Sequence, residues 1–195
     1  MSRLRFAPFL LLCCWLLSGC GGRSHTQKTA FLRLRAQWLE KGSVTLRGEM
    51  RADYGDRVYD YLLRYEGGGE GGILTVEKPL ELEGVEAVIG EKGVTLRYDG
   101  AVLDTGAILG KLSPLEAFPL LVHCWQSGCL TDCWKETWNG EGCLTAEFDL
   151  TEAGSSETRL CRTRFRASDG VPLTAELISD GAVVLSCRFT LPAEE

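Results

Sequence analysis

Histidine is scarce in this chain, and its scarcity argues against most hydrolytic and metal-dependent chemistry. The sequence has 2 histidines in 195 residues, His25 near the N-terminus and His123 within an apolar stretch. They do not form a metal-binding pair, and no serine lies in a Gly-x-Ser-x-Gly nucleophile elbow. His123 precedes Cys124, but adjacent residues on a helix point in different directions, so we interpret His123 as structural. We predict a protein that is not an enzyme and has no cofactor.

Long hydrophobic runs and an excess of positive charge are also missing. The stretch Phe6–Leu17 has no charge, but it is shorter than the roughly 20 residues of a membrane-spanning helix. Arg3 and Arg5 precede it, which is typical of a signal peptide. The chain has 21 basic and 27 acidic residues, and removal of residues 1–19 leaves a net charge of −8. A domain this acidic has no electrostatic reason to bind nucleic acid.

Four residues that follow the apolar run, Leu17-Ser18-Gly19-Cys20, indicate where the protein is held. They resemble the lipobox of secreted bacterial lipoproteins. The resemblance implies cleavage before Cys20, a diacylglyceryl group on its sulfur and usually acylation of the new amino terminus. Several acyl chains anchor durably, because each buried methylene contributes about 0.8 kcal/mol. The alternative is ordinary secretory cleavage near Gly19. We predict a signal peptide over 1–19, a lipidated tether over 20–25 and an extracytoplasmic domain over 26–192, anchored to the cell membrane.

Six cysteines lie beyond the predicted anchor, and the sequence leaves their redox state open. An even number outside the cytosol is compatible with disulfides, whereas an anaerobic host would leave buried thiols. The predicted strand faces allow a Cys133–Cys143 or a Cys124–Cys129 bridge, but the predicted register puts Cys161 about 16 Å from Cys187. The spacings lack the two-residue knuckle of structural zinc, so no metal centre is predicted. The six are Cys124, Cys129, Cys133, Cys143, Cys161 and Cys187.

Hydrophobic periodicity predicts two helices and about eleven strands. Thr26–Lys41 carries apolar residues at helical spacing, including Phe31, Leu34, Trp38 and Leu39. A second helix begins with the capping box Ser113-Pro114-Leu115-Glu116 and ends at Gly128, and Pro119 predicts a kink or a split within it. The rest alternates as strands, with a flexible hairpin connection over Gly67–Gly72 and a tight turn at Asp99-Gly100.

Finer predictions concern which way the C-terminal strands face. We expect Leu130, Trp134 and Trp138 to point inward, with Cys129 and Cys133 outward. Three-residue loops at 168–170 and 179–181 would keep the apolar faces of the last three strands on one side of the sheet. In that register Phe165 and Cys187 both lie opposite Leu173, and Val183 points inward. The outward arginines would then form cross-strand ion pairs rather than a phosphate site; they are Arg162, Arg164 and Arg166, facing Glu176 and Glu147.

The predicted fold is mainly β (α+β): a single curved antiparallel sheet whose concave face is covered by the N-terminal helix and a central lid helix. Residues 112–121 (LSPLEAFPLL) and 169–176 (DGVPLTAE) resemble the LolA/LolB-like lipoprotein-carrier superfamily. They also resemble small lipoproteins of spore-forming anaerobes, such as the germination lipoprotein that acts with a cortex amidase. The likeness, over Thr26–Leu191, implies an open half-barrel that holds acyl chains in an apolar cavity.

The candidate site is therefore a hydrophobic cavity, and the sequence leaves open whether it is hollow or filled. We expect a membrane-anchored carrier that binds an acyl chain of another lipoprotein or a lipid. The alternative is a non-enzymatic interaction module that docks or activates an envelope or spore-cortex enzyme. The candidate lining residues are Tyr61, Leu96, Phe118, Val122, Trp125, Trp134, Trp138, Phe148, Phe165, Leu173, Leu177, Leu185 and Phe189.

Overall fold

The computed structural model describes residues 22–91, 93–106, 113–152 and 154–190. Helix α1 is Gly22–Lys41 and helix α2 is Pro114–Ser127. The strands are β1 Val44–Asp53, β2 Val58–Gly68, β3 Gly71–Lys78, β4 Glu86–Gly90, β5 Gly93–Tyr98, β6 Ala101–Gly106, β7 Cys129–Trp138, β8 Glu141–Asp149, β9 Arg159–Arg166, β10 Pro172–Ser179 and β11 Ala182–Phe189. A 3₁₀ turn, Leu80–Leu82, separates β3 from β4. The predicted signal peptide, the lipobox with Cys20, and Leu191 lie outside the described residues.

All the strands of the described residues form one open antiparallel sheet. Their order is β6-β5-β4-β3-β2-β1-β11-β10-β9-β8-β7. The last strand therefore pairs with the first, and this pairing joins an N-terminal meander to a C-terminal one. The predicted mainly β fold, with one antiparallel sheet of about eleven strands and two helices, is confirmed.

The sheet has two different faces, which strand β1 shows most clearly. Val44, Leu46, Gly48 and Met50 are buried, and the residues that alternate with them are exposed. The buried side chains lie on the side of α1 and α2, which we call the helix-covered face. The opposite side, which carries the arginines of β9, is called the open face. The alternation confirms the predicted period of two.

Both helices form for the reasons that the sequence suggests. Helix α1 buries Phe31, Leu34 and Trp38, whereas Leu39 is 56% exposed. It begins at Gly22, so the backbone from Gly22 to His25 is helical and not part of an irregular tether. In α2 the Ser113 hydroxyl accepts a hydrogen bond from the Leu115 amide, at 3.3 Å, as an N-cap does.

Two details of the helices go beyond the sequence expectations. Pro119 lies inside α2, yet α2 is one continuous helix, so the predicted split is wrong. The ring removes only one backbone donor in a segment whose side chains are held by the core.

Within the described ranges, no helix combines the length and the apolar character needed to cross a bilayer.

The glycine-rich segment 67–72 is mostly paired strand and not a flexible connection. Strand β2 continues to Gly68 and β3 starts at Gly71, so the turn itself is Gly69-Glu70. A Cβ atom on Gly69 would lie 2.8 Å from the Cα of His123. Glycine is therefore required there because helix α2 packs directly against the hairpin backbone.

A β-bulge in β7 reverses the predicted direction of two tryptophans. Leu130 pairs with Phe148 and Asp132 pairs with Glu147, so Thr131 is the extra residue. Beyond the bulge, Cys133 faces α1, and its thiol lies 3.6 Å from the Gln27 carbonyl oxygen. Trp134 and Trp138 consequently lie on the open face, and their predicted inward orientation is wrong.

A second irregularity changes the register at the C-terminus. The turn between β10 and β11 has two residues, Asp180 and Gly181, and both have positive φ (48° and 79°), as a type I′ turn requires. A bulge after Leu177 shifts the register again, so that Leu185 and Cys187 point toward the helix-covered face. Cys187 therefore pairs with Ala175 and not with Leu173, and Val183 is exposed instead of buried.

The turn between β9 and β10 also deviates from prediction. A bulge between Pro172 and Thr174 places Pro172, rather than Leu173, opposite Phe165. The expected pairs of Arg162 with Glu176 and of Cys161 with Leu177 are both present.

Asp99 and Gly100 adopt φ values of 46° and 79°, which confirms the predicted tight turn between β5 and β6.

Candidate functional site

The space between the helices and the sheet is the predicted ligand cavity. Most of the candidate lining residues do meet there, but they pack against one another. Leu96, Phe189 and Tyr61 are partly buried against this core, and Trp134 and Trp138 are on the other face. Those buried on the helix-covered face are Phe118, Val122, Trp125, Phe148, Phe165, Leu177 and Leu185.

Aromatic rings fill the interior beneath the C-terminal half of α2. The Trp125 indole lies 4.8 Å from Trp38, 5.6 Å from Phe165 and 5.7 Å from Phe189, measured between ring centroids. Its Nε1 donates a buried hydrogen bond of 2.9 Å to the Thr163 hydroxyl. Rings at these distances attract each other beyond the effect of burial alone. This part of the trough is therefore filled.

A narrow apolar gap lies beneath the N-terminal half of α2. The gap is too narrow to hold a water molecule. Ala117 and Leu121 of α2 form its roof. Its floor is formed by Met50, Ala175, Leu177, Leu185, Ser186 and Cys187.

Arg35 of helix α1 ties down the C-terminal end of α2. Its guanidinium donates to the carbonyl oxygens of Trp125 (3.1 Å), Cys124 (3.3 Å) and Gly128 (2.7 Å). The Cys124 carbonyl also accepts the Gly128 amide at 3.0 Å, and the helix dipole makes a cation favourable at this end. Burial lowers the pKa of Arg35, although an arginine stays charged at neutral pH. No pattern along the chain indicates this role, because the contact joins residues that are 90 positions apart.

The two halves of α2 are attached in different ways. Besides Arg35, the Gln126 amide donates to the carbonyl oxygens of Trp38 and Gly42, at 3.2 and 3.3 Å. In the part of the chain that the structure describes, no hydrogen bond or ion pair ties the side chains of residues 114–121 to the sheet. This half is held by apolar packing, such as the stacking of Phe118 on Tyr65 at 6.0 Å.

The arginine stripe of β9 forms ion pairs on the open face, as predicted. Arg162 contacts Glu147 at 2.6 Å and Glu176 at 3.3 Å. Arg164 contacts Glu136 at 2.8 Å and Glu176 at 3.3 Å. These charges therefore satisfy one another and leave no cluster dedicated to phosphate.

A groove of about 570 Å³ on the open face was not predicted. Trp138 lies at its wall, beside Arg164 and Glu176. The bulge in β7 places Trp138 on the open face, whereas alternation along the sequence alone would place it on the helix-covered face. The groove is lined by side chains of both charges.

The carboxylate of Glu136 gives a pH-dependent prediction. Burial by itself would raise its pKa, but hydrogen bonds from Thr145 (2.6 Å) and Arg164 (2.8 Å) outweigh burial and lower the pKa. A lowered pKa in the folded state stabilises the fold above the unfolded pKa, and this stability is lost as the pH falls through the folded value. Glu136→Gln should lower the free energy of unfolding by about 1 kcal/mol at pH 7.

Urea denaturation between pH 7 and pH 3 checks this prediction. The difference between wild type and Glu136→Gln should shrink as the pH falls below about 5. Glu66→Gln is the matched control, because the Arg64–Glu66 pair is about half exposed (49% and 53%). Parallel pH profiles for wild type and Glu136→Gln would contradict the account.

All six described cysteines are unbridged. Cys133 lies on the helix-covered face and Cys143 on the open face, so the bridge between them that the sequence allowed is excluded by geometry. Cys124 is buried and Cys129 is exposed, and they are also unbridged. Burial raises the pKa of Cys133 to about 11 and also raises that of Cys161 and Cys187. These three thiols are therefore poor nucleophiles at neutral pH.

Alkylation of the native protein should modify Cys129 far faster than the other five described cysteines. Cys129 is exposed, whereas the other five are buried, and a buried thiol reacts only after local unfolding. Peptide mass spectrometry after brief iodoacetamide treatment checks this, with denatured protein as the control. Equal modification of Cys129 and Cys133 in the native state would contradict it.

No arrangement for catalysis or metal binding is found in the described part of the chain. His123 is exposed and lies 3.2 Å from the Ser127 hydroxyl in the next helical turn, whereas Cys124 is buried. The two side chains thus leave α2 on different sides, as predicted. Among the described residues, no group of three or more His, Cys, Asp or Glu side chains converges on a metal position.

Comparison with known proteins gives matches only among solved structures. No protein-family model matches the sequence, and no curated protein matches it. The chain is similar to LprF from Mycobacterium bovis, with 10% identity, a TM-score of 0.45 and coverage of 87% of this chain and 94% of that one. It is also similar to the lipoprotein LppX from Mycobacterium tuberculosis, with 14% identity, a TM-score of 0.41 and coverage of 83% and 91%.

A third similar structure belongs to the superfamily that the sequence resembles. It is the LolA superfamily protein NE2245 from Nitrosomonas europaea, with 12% identity, a TM-score of 0.41 and coverage of 80% of this chain and 91% of that one. TM-scores below 0.5 indicate a loose correspondence, so the description of the fold rests on the sheet and the helices themselves. Over its described residues the chain is thus an open antiparallel sheet of eleven strands with two helices, similar to a LolA superfamily protein and to the mycobacterial proteins LppX and LprF.

Proposed function

We propose that this protein is a membrane-anchored lipoprotein that binds a hydrophobic ligand, an acyl chain of another lipoprotein or of a lipid, beneath helix α2. In this proposal Cys20 carries the lipid anchor, and the protein performs no catalysis. The observation that carries the proposal is the one-sided attachment of α2 over an apolar gap. Arg35 and Gln126 hold its C-terminal end with hydrogen bonds, and its N-terminal half covers the gap through apolar contacts.

The filled interior determines how such binding would work. An acyl chain must replace side chains that already pack on the sheet, so the N-terminal half of α2 must swing away about its fixed C-terminal end. Each methylene that the ligand buries contributes about 0.8 kcal/mol, which offsets the apolar contacts that α2 gives up. The contacts it replaces are apolar, so the opening breaks no buried hydrogen bond to the sheet.

Substitution of Leu121 tests this mechanism. Leu121 is 1% exposed and roofs the gap, so Leu121→Ala should enlarge the gap and tighten binding of a fluorescent polyene fatty acid severalfold. The free energy of unfolding should fall by about 2–5 kcal/mol.

Leu74→Ala is the matched control for this experiment. Leu74 is equally buried, in β3, and does not line the gap. This variant should lose comparable stability without any gain in fatty acid affinity. Equal affinities in the two variants, or no binding to any form of the protein, would contradict a site beneath α2.

The aromatic filling beneath Trp125 favours a second function, that of an interaction module. In that case the interior stays closed, and the protein docks or activates an envelope or spore-cortex enzyme through its surface. Affinity purification of the tagged, acylated protein from envelope extracts separates the two proposals. A stable stoichiometric enzyme partner together with protein free of lipid would support the interaction module.

A further inference from the structure

The exposed apolar side chains of this domain are concentrated at one end of its sheet. We call this end the first rim; there β1, β3, β5, β8 and β10 end and the other six strands begin. The opposite end is the second rim. Of the twelve exposed large hydrophobic residues among the described residues, eight lie at the first rim. They are Tyr54 (36%), Val58 (42%), Tyr59 (39%), Leu80 (79%), Leu82 (40%), Tyr98 (51%), Val102 (67%) and Val183 (45%).

Strand direction places these residues at one end of the sheet, since they lie where β1, β3 and β5 end or where β2, β6 and β11 begin. In the C-terminal half, Ala52 pairs with Leu185, Leu185 with Leu177, Leu177 with Cys161 and Cys161 with Phe148. This row crosses β1, β11, β10, β9 and β8 next to the first rim. The β1–β2 turn, the 3₁₀ turn and the β5–β6 turn lie at the same end of their strands, and seven of the eight side chains belong to these turns or lie within two residues of them.

Helix α1 starts at the same end. The Lys28 ammonium donates to the Thr131 carbonyl oxygen at 3.3 Å, and Thr131 lies near the beginning of β7. At its other end α1 approaches the second rim, where Leu34 lies against the β9–β10 turn at Gly170. The N-terminal end of α1 therefore lies at the first rim.

The short distance along the chain from Cys20 to Gly22 fixes which rim meets the membrane. Two residues span at most about 7 Å. An acyl anchor on Cys20 would therefore hold the start of α1 close to the bilayer surface. Tyrosine is enriched at such interfaces, since its ring is apolar and its hydroxyl stays hydrated.

We propose that the first rim is the surface with which the protein contacts the lipid bilayer that holds its anchor. This inference rests on the lipidation of Cys20, which is part of the proposed function. Exposed acidic residues also lie at this rim, among them Asp56, Glu81, Glu83 and Asp99. Contact is therefore driven by apolar burial and is weaker on anionic bilayers at low salt.

Photo-crosslinking to lipid tests the inference. The acylated full protein is reconstituted in phosphatidylcholine vesicles that contain a diazirine-labelled phosphatidylcholine, and adducts are mapped by peptide mass spectrometry. Adducts are expected on residues 54–59, 80–82 and 98–102, and fewer in vesicles with added phosphatidylglycerol. Adducts on residues 67–73 and 89–94 of the second rim, or an even distribution, would overturn the inference.

Two triple variants provide the matched comparison. Leu80→Ser, Tyr98→Ser and Val102→Ser together remove exposed apolar groups from the first rim and should lower its labelling about tenfold, because labelling follows the buried apolar area. The control triple removes exposed apolar groups that lie away from the first rim (54%, 56% and 41% exposed) and should leave the labelling of the first rim unchanged. It consists of Leu32→Ser, Leu39→Ser and Ile73→Ser. Equal effects of the two triples would overturn the inference.

Intact-mass measurement of the same samples separates the two proposals. An acylated protein without first-rim adducts overturns the membrane-facing rim and leaves the proposed function standing. A protein without acyl groups overturns the anchor itself. The unacylated protein can then be added to vesicles from solution, and its adducts show whether the first rim has affinity for lipid.

Discussion

Trp125→Ala should lower the free energy of unfolding by about 4 kcal/mol. The indole is fully buried and contacts Trp38, Phe165 and Phe189. Its removal leaves a large cavity and also leaves the buried Thr163 hydroxyl without its donor. Urea denaturation measures the loss, and an unchanged m-value would show that the unfolding transition itself is preserved.

Two further substitutions separate the contributions of Trp125. Trp125→Phe keeps most of the ring volume and loses the hydrogen bond to Thr163, so it should lower stability by about 1–2 kcal/mol. Trp134→Ala is the control, because Trp134 lies on the open face beside Arg162 and is only partly buried. A loss from Trp134→Ala as large as that from Trp125→Ala would contradict the described core.

Arg35→Ala should lower the free energy of unfolding by about 3 kcal/mol, because the partly buried carbonyl oxygens of Trp125, Cys124 and Gly128 lose the guanidinium that they share. The Cys124 carbonyl keeps the Gly128 amide as a donor. The guanidinium also lies 5.1 Å above the Phe31 ring, so a cation–π contact is lost as well. Arg35→Lys retains the charge but cannot fork between several carbonyls, and it should recover less than half of the loss. Arg33→Ala, on the exposed side of α1, is the control and should change stability by less than 0.5 kcal/mol.

The same variant links stability to the proposed function. Arg35 fixes the C-terminal end of α2, about which the N-terminal half would swing. Without Arg35 both ends of α2 should be able to move away from the sheet. Fatty acid should then bind to Arg35→Ala more tightly than to the wild type but without saturating at one site per molecule. Unchanged binding to Arg35→Ala would show that Arg35 stabilises the fold without guiding the lid.

The elements of the fold could be predicted wherever local sequence determines them. Strand β9, Arg159–Arg166, coincides with a stretch of alternating apolar and charged residues, because alternation of side chains requires no information from elsewhere in the chain. The capping residues Ser113 and Gly128 also act on their own neighbours, and they set the limits of α2 as expected.

The candidate site could not be predicted to the same degree, since it depends on backbone irregularities and on shared volume. One extra residue, Thr131, sends Trp134 and Trp138 to the open face. The two-residue turn and the bulge after Leu177 together shift Cys187 by two residues against β10. Whether the interior is hollow depends on how the Trp125 ring fits between Trp38 and Phe165, and no pattern along the chain encodes that fit.

Native mass spectrometry of the protein released gently from its own membrane is the most direct test of a hydrophobic ligand beneath α2. The account predicts a species heavier than the acylated chain by the mass of a lipid or an acylated peptide, which collisional activation removes. It also predicts that this species increases in Leu121→Ala and does not change in Leu74→Ala. An acylated chain that is free of additional lipid in both variants and in the wild type would contradict the carrier function.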